Sequence, residues 1–227
     1  MQKFMTELTL IIPAKNESES LPIVLNELKN EDVKVKVLLH KDDTLTINSI
    51  KKFNCEIIYQ LNHGYGDALI HGINLTSTKY FCIFNADGSF NPLELKDMLD
   101  KINKFNYDFI FASRYQINSG SDDDTIITLI GNFIFTKIGN IFFNLPITDI
   151  LYTFVVGNTD SAKKLNLIQK DFSFCIELPI KAIRQGMTMS STSSYERKRI
   201  AGIKKVNAFK DGFLILKHMI YLFFKNK

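Results

Sequence analysis

Five short apolar runs, each followed by a stretch of different periodicity, leave this chain few folds to choose from. Leu8–Pro13 is continuously apolar and ends in proline, the pattern of a strand buried on both faces. Val33–Leu39, Cys55–Tyr59, Tyr80–Phe84 and Tyr107–Ala112 repeat it. Between them, Glu19–Leu28 sets Leu21, Val24, Leu25 and Leu28 at helical spacing, with Pro22 in the first turn, where it is tolerated. Thr46–Phe53, Gly66–Leu75 and Leu93–Phe105 read as further helices. The alternation and the short connections predict an α/β fold. Its mostly parallel, doubly wound central sheet would carry helices on both faces and a ligand edge at the carboxyl ends of its strands. A chain of 227 residues allows one domain, or one with an appendage, and a hydrophobic content of 45% supplies its core.

The second half changes character. Thr125–Phe143 mixes Phe133, Phe135, Phe142 and Phe143 with isoleucines. Tyr152–Val156 reads as a strand, Phe174–Arg184 as a helix and Met187–Ser194 as another strand. Glu196–Lys205 is a basic loop in which Arg197, Lys198, Arg199, Lys204 and Lys205 surround Gly202. Ala208–Phe224 is an apolar helix carrying Lys210 and Lys217, with Lys225 and Lys227 just beyond it. Its apolar content falls short of the ~20 residues needed to span a bilayer. Such a helix lies on an anionic membrane surface, or it packs on its own core or a second subunit. Thr125–Phe143 carries the same two readings.

The 28 Lys and Arg stand against 24 Asp and Glu, a net charge of +4. That weak excess suits phosphorylated ligands or an anionic membrane and not a dedicated nucleic-acid binder. Cys55, Cys82 and Cys175 lie far apart in apolar settings, as in reduced core residues of a cytosolic protein. No secretory signal pattern is expected at the N-terminus.

Polar clusters fall at each predicted strand end. Lys15-Asn16-Glu17 follows the first strand, and His40-Lys41-Asp42-Asp43 the second, where acids can accept from a ribose or base edge. Asn62-His63-Gly64-Tyr65-Gly66-Asp67 follows the third; its glycines permit close backbone approach at a helix N-terminus, although the Gly-Lys-Ser/Thr of a P-loop is missing. Asn85-Ala86-Asp87-Gly88 follows the fourth, where Asp87 is either part of a plain turn or a hard oxygen ligand for Mg²⁺ or Mn²⁺. Ser113-Arg114-Tyr115 follows the fifth, and Arg114 fits either a phosphate or a surface ion pair. Asp122-Asp123-Asp124 reads as a solvated loop before a helix.

In order and spacing, LIIPAKNE, NHGYGDALIHGIN, FNADGS and FASRY resemble an inverting family 2 glycosyltransferase of the GT-A fold. The resemblance is to the dolichyl- or polyprenyl-phosphate mannose synthase-like branch and spans about Leu8 to Gly212. It implies that Pro13, Ala14, Asn16 and Glu17 hold the nucleotide, with Gly64 and Gly66 beside the base. Asn85-Ala86-Asp87 matches an Asp-x-Asp metal motif, so Asp87 and Asn85 would hold a divalent ion, Asn85 replacing the usual Asp. Arg114 matches the family's arginine, Asp149 an acceptor-side acid and candidate base, and Glu177 an acidic helix position facing the site. Arg199 and Lys205 belong to a loop similar to Arg-x-x-Gly-x-Ser-Lys, with Lys204 in place of the Ser. His40 stands where a base-contacting Asp is expected, with Asp42 displaced.

The resemblance also implies two functional parts: residues 1–115 for the nucleotide sugar and 116–207 for the acceptor, followed by helix 208–227. The acceptor would be a lipid phosphate, or a lipid-linked or surface glycan. The expected setting is the cytoplasm, peripheral to the cytosolic face of a membrane, with an oligomer allowed. Two rivals remain open: a sugar nucleotidyltransferase, and a catalytically silent paralogue that binds a nucleotide sugar or a partner enzyme.

Overall fold

The computed structural model describes residues 5–60, 62–202 and 205–225. In chain order the strands are β1 (Leu8–Pro13), β2 (Lys34–Leu39), β3 (Glu56–Tyr59), β4 (Tyr80–Ile83), β5 (Phe109–Ser113), β6 (Gly120–Ser121), β7 (Val155–Asn158), β8 (Met189–Ser193) and β9 (Tyr195–Glu196). The helices are α1 (Leu21–Glu27), α2 (Thr44–Ile50), α3 (Tyr65–Asn74), α4 (Glu94–Phe105), α5 (Ile126–Phe143), α6 (Thr159–Lys164), α7 (Phe174–Arg184) and α8 (Ala208–Lys225). Seven strands make one sheet in the order β3-β2-β1-β4-β7-β5-β8, and β6 pairs with β9 apart from it. Within the large sheet every pairing is parallel except those of β7, which runs antiparallel between β4 and β5. The expected mostly parallel α/β sheet and C-terminal helix are both present.

Side-chain alternation explains the apolar runs. Leu8, Leu10 and Ile12 of β1 join one core cluster and Ile11 the other. On β4, Phe81 and Ile83 turn one way, Tyr80 and Cys82 the other. Both faces are covered, so neither set can be polar. Residues tolerant of left-handed backbone punctuate the ends of helices: α4 stops at Asn106 (φ 53°) and α5 at Asn144 (φ 56°). The start of α5 is fixed by a capping box between Thr125 and Thr128.

Two sequence expectations shift. The strand expected at Tyr152–Val156 begins only at Val155, because Tyr152 and Phe154 serve as an aromatic approach packed on Phe90. Helix α6, capped by the Asn158 side chain, has too few residues to show a period and was not expected. Lys204 and Lys227 lie outside the described residues.

The central place of β7 depends on Gly157. A Cβ there would stand 2.6 Å from ring carbons of both Phe81 and Phe109 on the flanking strands. Gly157→Val is expected to lower the unfolding free energy by about 1–3 kcal/mol, read as a lower urea midpoint at unchanged slope.

Candidate active site

The carboxyl ends of β1 to β5 and the approach to β7 frame a cleft of about 680 Å³. It lies where β1 sits between β2 and β4, the point at which the connections diverge to either side of the sheet. Pro13, Ala14, Asn16 and Glu17 line it beyond β1. Asn16 adopts φ 55°, and its N–H donates to Asp43 Oδ2 at 2.7 Å. Asp43 Oδ1 accepts from the Thr46 N–H at 3.3 Å, so one carboxylate caps α2 and pins the first loop to the second. Beyond β2, His40 stacks on His63 with centroids 4.5 Å apart, and its Nδ1 stands 3.0 Å from Asp42. His40, Asp42 and His63 all line the cleft.

The two glycines of the third loop answer to the chain itself. A Cβ on Gly64 would meet the Lys170 carbonyl oxygen at 2.1 Å, and one on Gly66 the Gln169 carbonyl oxygen at the same distance. Gly64 borders the cleft, but Gly66 is buried and does not. The expected ligand contact at Gly66 is therefore corrected: its close approach is to the segment leading into α7.

Beyond β4 the chain presents Asn85, Ala86 and Asp87 to the cleft. Gly88 turns at φ 83°, against Ile200, whose Cδ1 would lie 2.3 Å from a Cβ. The Ile200 N–H donates to the Asp87 carbonyl and the Arg197 N–H to the Ser89 carbonyl, each at 2.8 Å. The basic loop is thus laced onto this turn. Asp87 Oδ1 accepts from the Ser89 N–H at 3.0 Å and its hydroxyl at 2.7 Å. Asp87 Oδ2 makes no hydrogen bond among the described residues, and the Arg199 guanidinium stands 3.6 Å from it.

The donor set tests the expected divalent ion. Among the described residues no three His, Cys, Asp or Glu converge. One carboxylate oxygen without a hydrogen bond among the described residues, with the Asn85 amide beside it (its nitrogen donating to the Ser89 hydroxyl at 3.2 Å), suits an ion that takes most of its ligands from phosphates and water. The residues present fit Mg²⁺ or Mn²⁺ in that manner.

Three cations of the basic loop are already engaged. Arg199 holds Asp123 through Nε at 3.1 Å and Nη2 at 2.7 Å, and that bond to Asp123 raises its pKa. Lys205 donates to Glu17 at 2.9 Å. Arg197 reaches Glu27 and the Phe90 carbonyl.

The opposite wall is built around Arg114. Nε and Nη2 grip Asp149 at 2.8 and 3.1 Å, and Nη1 donates to Glu196 at 3.0 Å. Asp124 is 3.8 Å from Nη1, and the Tyr152 ring lies under the guanidinium at 4.6 Å. Burial works against the charge of Arg114, but the surrounding carboxylates prevail and hold its pKa well above the usual value. Arg114 lines the cleft as expected, and three of its five guanidinium N–H groups are bonded to Asp149 and Glu196.

Asp149 and Glu177 also have work other than the proton transfer expected of them. Asp149 is fully buried, and besides Arg114 it accepts from Asn132 at 2.6 Å and from the Arg114 and Tyr152 N–H groups at 3.2 Å. A carboxylate with five donors positions Arg114 and has no lone pair left for an acceptor. Glu177 accepts from the Ile168 and Gln169 N–H groups, pairs with Lys181 at 2.7 Å, and does not reach the cleft.

Glu196, which the sequence offered only as the edge of a basic loop, lines the cleft. Its Oε2 serves Arg114 and the Ser121 hydroxyl; its Oε1 makes no hydrogen bond among the described residues. The Asp122–Asp124 run is not a solvated loop either: Asp122 accepts from Tyr195, Asp123 from Arg199 and Asp124 from Tyr115. Cys175 borders the cleft as a buried wall, its thiol pushed up to about 12 by burial, too high for a nucleophile.

The sequence profile of glycosyl transferase family 2 matches residues 9–165, more than half of the chain. The chain belongs to that family. An uncharacterized protein of Methanocaldococcus jannaschii is 24% identical over 226 residues, covering 95% of this chain and 93% of its own. An uncharacterized glycosyltransferase of Mycobacterium tuberculosis is 22% identical over 208 residues, 91% and 93% of the two chains. In fold, this glycosyltransferase is similar to glucosyl-3-phosphoglycerate synthase from M. tuberculosis crystallised with Mn²⁺, UDP-glucose and phosphoglyceric acid. That match has TM-score 0.73 at 11% identity and covers 95% of this chain and 79% of the other. Mannosyl-3-phosphoglycerate synthase from Rubrobacter xylanophilus gives 0.65 at 12%, covering 94% and 72%. The GT-A architecture expected from the sequence is thereby shown.

Removing the anchor of Arg114 should be felt throughout this wall. Asp149→Ala is expected to cost about 3–5 kcal/mol, because it leaves a buried guanidinium short of its partner, and to appear as a large fall in the melting temperature.

Proposed function

We propose that this glycosyltransferase moves a sugar from a nucleoside diphosphate to a hydroxyl of a lipid-linked or surface glycan, with inversion, on the cytosolic face of a membrane. The observation that carries the donor half is Asp87. It stands just past the carboxyl end of β4, at the switch point, lining the cleft with Arg199 beside it. A diphosphate placed there lies between Asp87, Arg199 and Lys205, and the first two loops with His40 and His63 flank the nucleoside end. A divalent ion held by Asp87 and Asn85 would supply charge neutralisation of the leaving diphosphate. Arg199 and Lys205 add donors to the same oxygens once their bonds to Asp123 and Glu17 give way. The crystal structures with Mn²⁺ and UDP-glucose support the same donor chemistry on a similar fold.

The acceptor half rests on the charge of the opposite wall. Asp124, Asp149 and Glu196 outnumber Arg114, their one shared cation. An anionic phosphate acceptor is repelled by such a wall; a neutral hydroxyl is not. Of the two acceptor classes expected from the sequence, this favours the glycan hydroxyl over the lipid phosphate. A hydroxyl must lose a proton as it attacks. Glu196, which lines the cleft and whose Oε1 makes no hydrogen bond among the described residues, is the base we assign. The acceptor oxygen bonds to the anomeric carbon, the bond from that carbon to the diphosphate breaks, and the proton passes to Glu196.

The first test is a thermal-shift panel of UDP, GDP, CDP and dTDP, each with and without Mn²⁺. One nucleotide at about 100 times its Kd should stabilise the fold by about 2.7 kcal/mol, and only with the metal present. No shift with any of them would sink the donor-site reading and leave a silent paralogue. Asp87→Ala or removal of the metal with EDTA is expected to abolish both the metal-dependent shift and turnover. Glu196→Gln should retain the shift but lower kcat about 10²–10⁴-fold; a kcat within twofold of wild type would remove Glu196 from the mechanism.

A further inference from the structure

Helix α5 is folded inside out. The residues it turns into the protein are Asn132, Thr136, Gly139 and Phe143, with Phe135 and Ile138 packed on the core beside them. Asn132 and Thr136 are held by the Asp149 turn: Asn132 donates to Asp149 and accepts from the Leu151 N–H at 3.1 Å, and Thr136 accepts from the Ile150 N–H at 3.2 Å. The side chains it turns outward include Ile126, Ile130, Phe133, Ile134, Ile141 and Phe142, all exposed. A water-facing helix ordinarily shows the reverse.

Helix α8 extends this face. Phe135 of α5 lies beside Gly212, and Phe142 and Phe143 pack on Phe223, so the two helices run side by side in the same direction. The outer stripe of α8 is Phe209, Phe213, Leu216, Ile220 and Phe224, with Phe209 81% exposed. So large a continuous apolar surface marks an interaction site. Its charges are nearly of one sign: Lys137 on α5 and Lys210, Lys217 and Lys225 on α8, against Asp211. Asp211 is occupied, accepting from the Asn207 N–H at 2.7 Å.

We propose that the outward faces of α5 and α8 dock on an anionic lipid bilayer. The charge pattern selects this occupant. A two-fold contact with a second copy would set lysines against lysines across the interface, whereas an anionic leaflet complements them. Helix α5 lies on the leaflet and does not cross it. By length and composition its 18 residues could cross a bilayer, but its inner face is bonded to the buried Asp149 through Asn132, which holds it against the protein and on the leaflet. Thr128 and Asn132 of α5 line the cleft, as does Val206 at the entry to α8, so docking sets the mouth of the cleft at the lipid surface. In this respect the inference deepens the acceptor half of the proposed function and rests on it: the glycan acceptor would be carried by a lipid of the same leaflet.

The test is co-sedimentation of the full chain with vesicles of phosphatidylcholine alone, or with about one third phosphatidylglycerol. The chain should partition onto the anionic vesicles about tenfold or more over the neutral ones. Phe213→Ser with Phe224→Ser should abolish binding, and Lys210→Glu with Lys217→Glu should weaken it about tenfold, each leaving the melting temperature and the nucleotide shift in place. A chain that stays in the supernatant, or that binds both vesicles equally, overturns the proposal. So does a dimer in light scattering that the Phe213→Ser, Phe224→Ser variant converts to monomers. Because nucleotide binding is read separately, a failed vesicle assay leaves the donor site standing, and a failed nucleotide panel leaves the docking face standing.

Discussion

One buried guanidinium organises the cleft wall that faces the Asp87 turn. Arg114 leaves the end of β5 and is gripped by Asp149 from the approach to β7 and by Glu196 from β9. Asp149 is in turn held by Asn132 of α5. Four segments distant in sequence therefore meet at one charge. An ion pair this deep contributes little net stability over apolar packing, but it fixes geometry, because no partner can leave without stranding another. Its geometric effect is to hold Glu196 and Asp124 in the wall of the cleft that also carries Asp87.

The same network explains why α5 breaks the usual rule for a surface helix. Its inner face must satisfy Asp149 and the N–H groups of the Asp149 turn, so that face carries Asn132 and Thr136. The polar work of the helix is done inside, and its outer face is left apolar. The cleft wall and the lysine-rimmed surface are two sides of one helix.

Much of the first half was legible because a strand buried on both faces leaves a continuous apolar mark, as Leu8–Pro13 and Tyr80–Phe84 do. The polar clusters at the strand ends followed from the alternation, and Asp87, His40 and Glu17 do meet at one edge. What sequence could not convey was pairing. Glu177 sits on an otherwise apolar helix, and nothing local reveals that two backbone N–H groups before α7 claim it. Asp149 and Arg114 each looked available because their partnership spans 35 residues. The Asp122–Asp124 run looked solvated because its partners, Tyr195, Arg199 and Tyr115, come from elsewhere in the chain. Glu196 gave one faint signal: a single acid heading a run of cations.

The antiparallel insertion of β7 bears on how the chain is made. Strand β5 pairs only with β7 and β8, and β4 presents its second edge to β7. When β5 leaves the ribosome it has no neighbour to pair with, and the half-sheet β3-β2-β1-β4 ends in a bare hydrogen-bonding edge. Neither gap closes until Val155–Asn158 has been synthesised. The two sides of the sheet are thus joined by a strand that arrives late. The nascent chain must wait, with an open edge and unsheltered phenylalanines, until a glycine slides between Phe81 and Phe109 and completes the sheet.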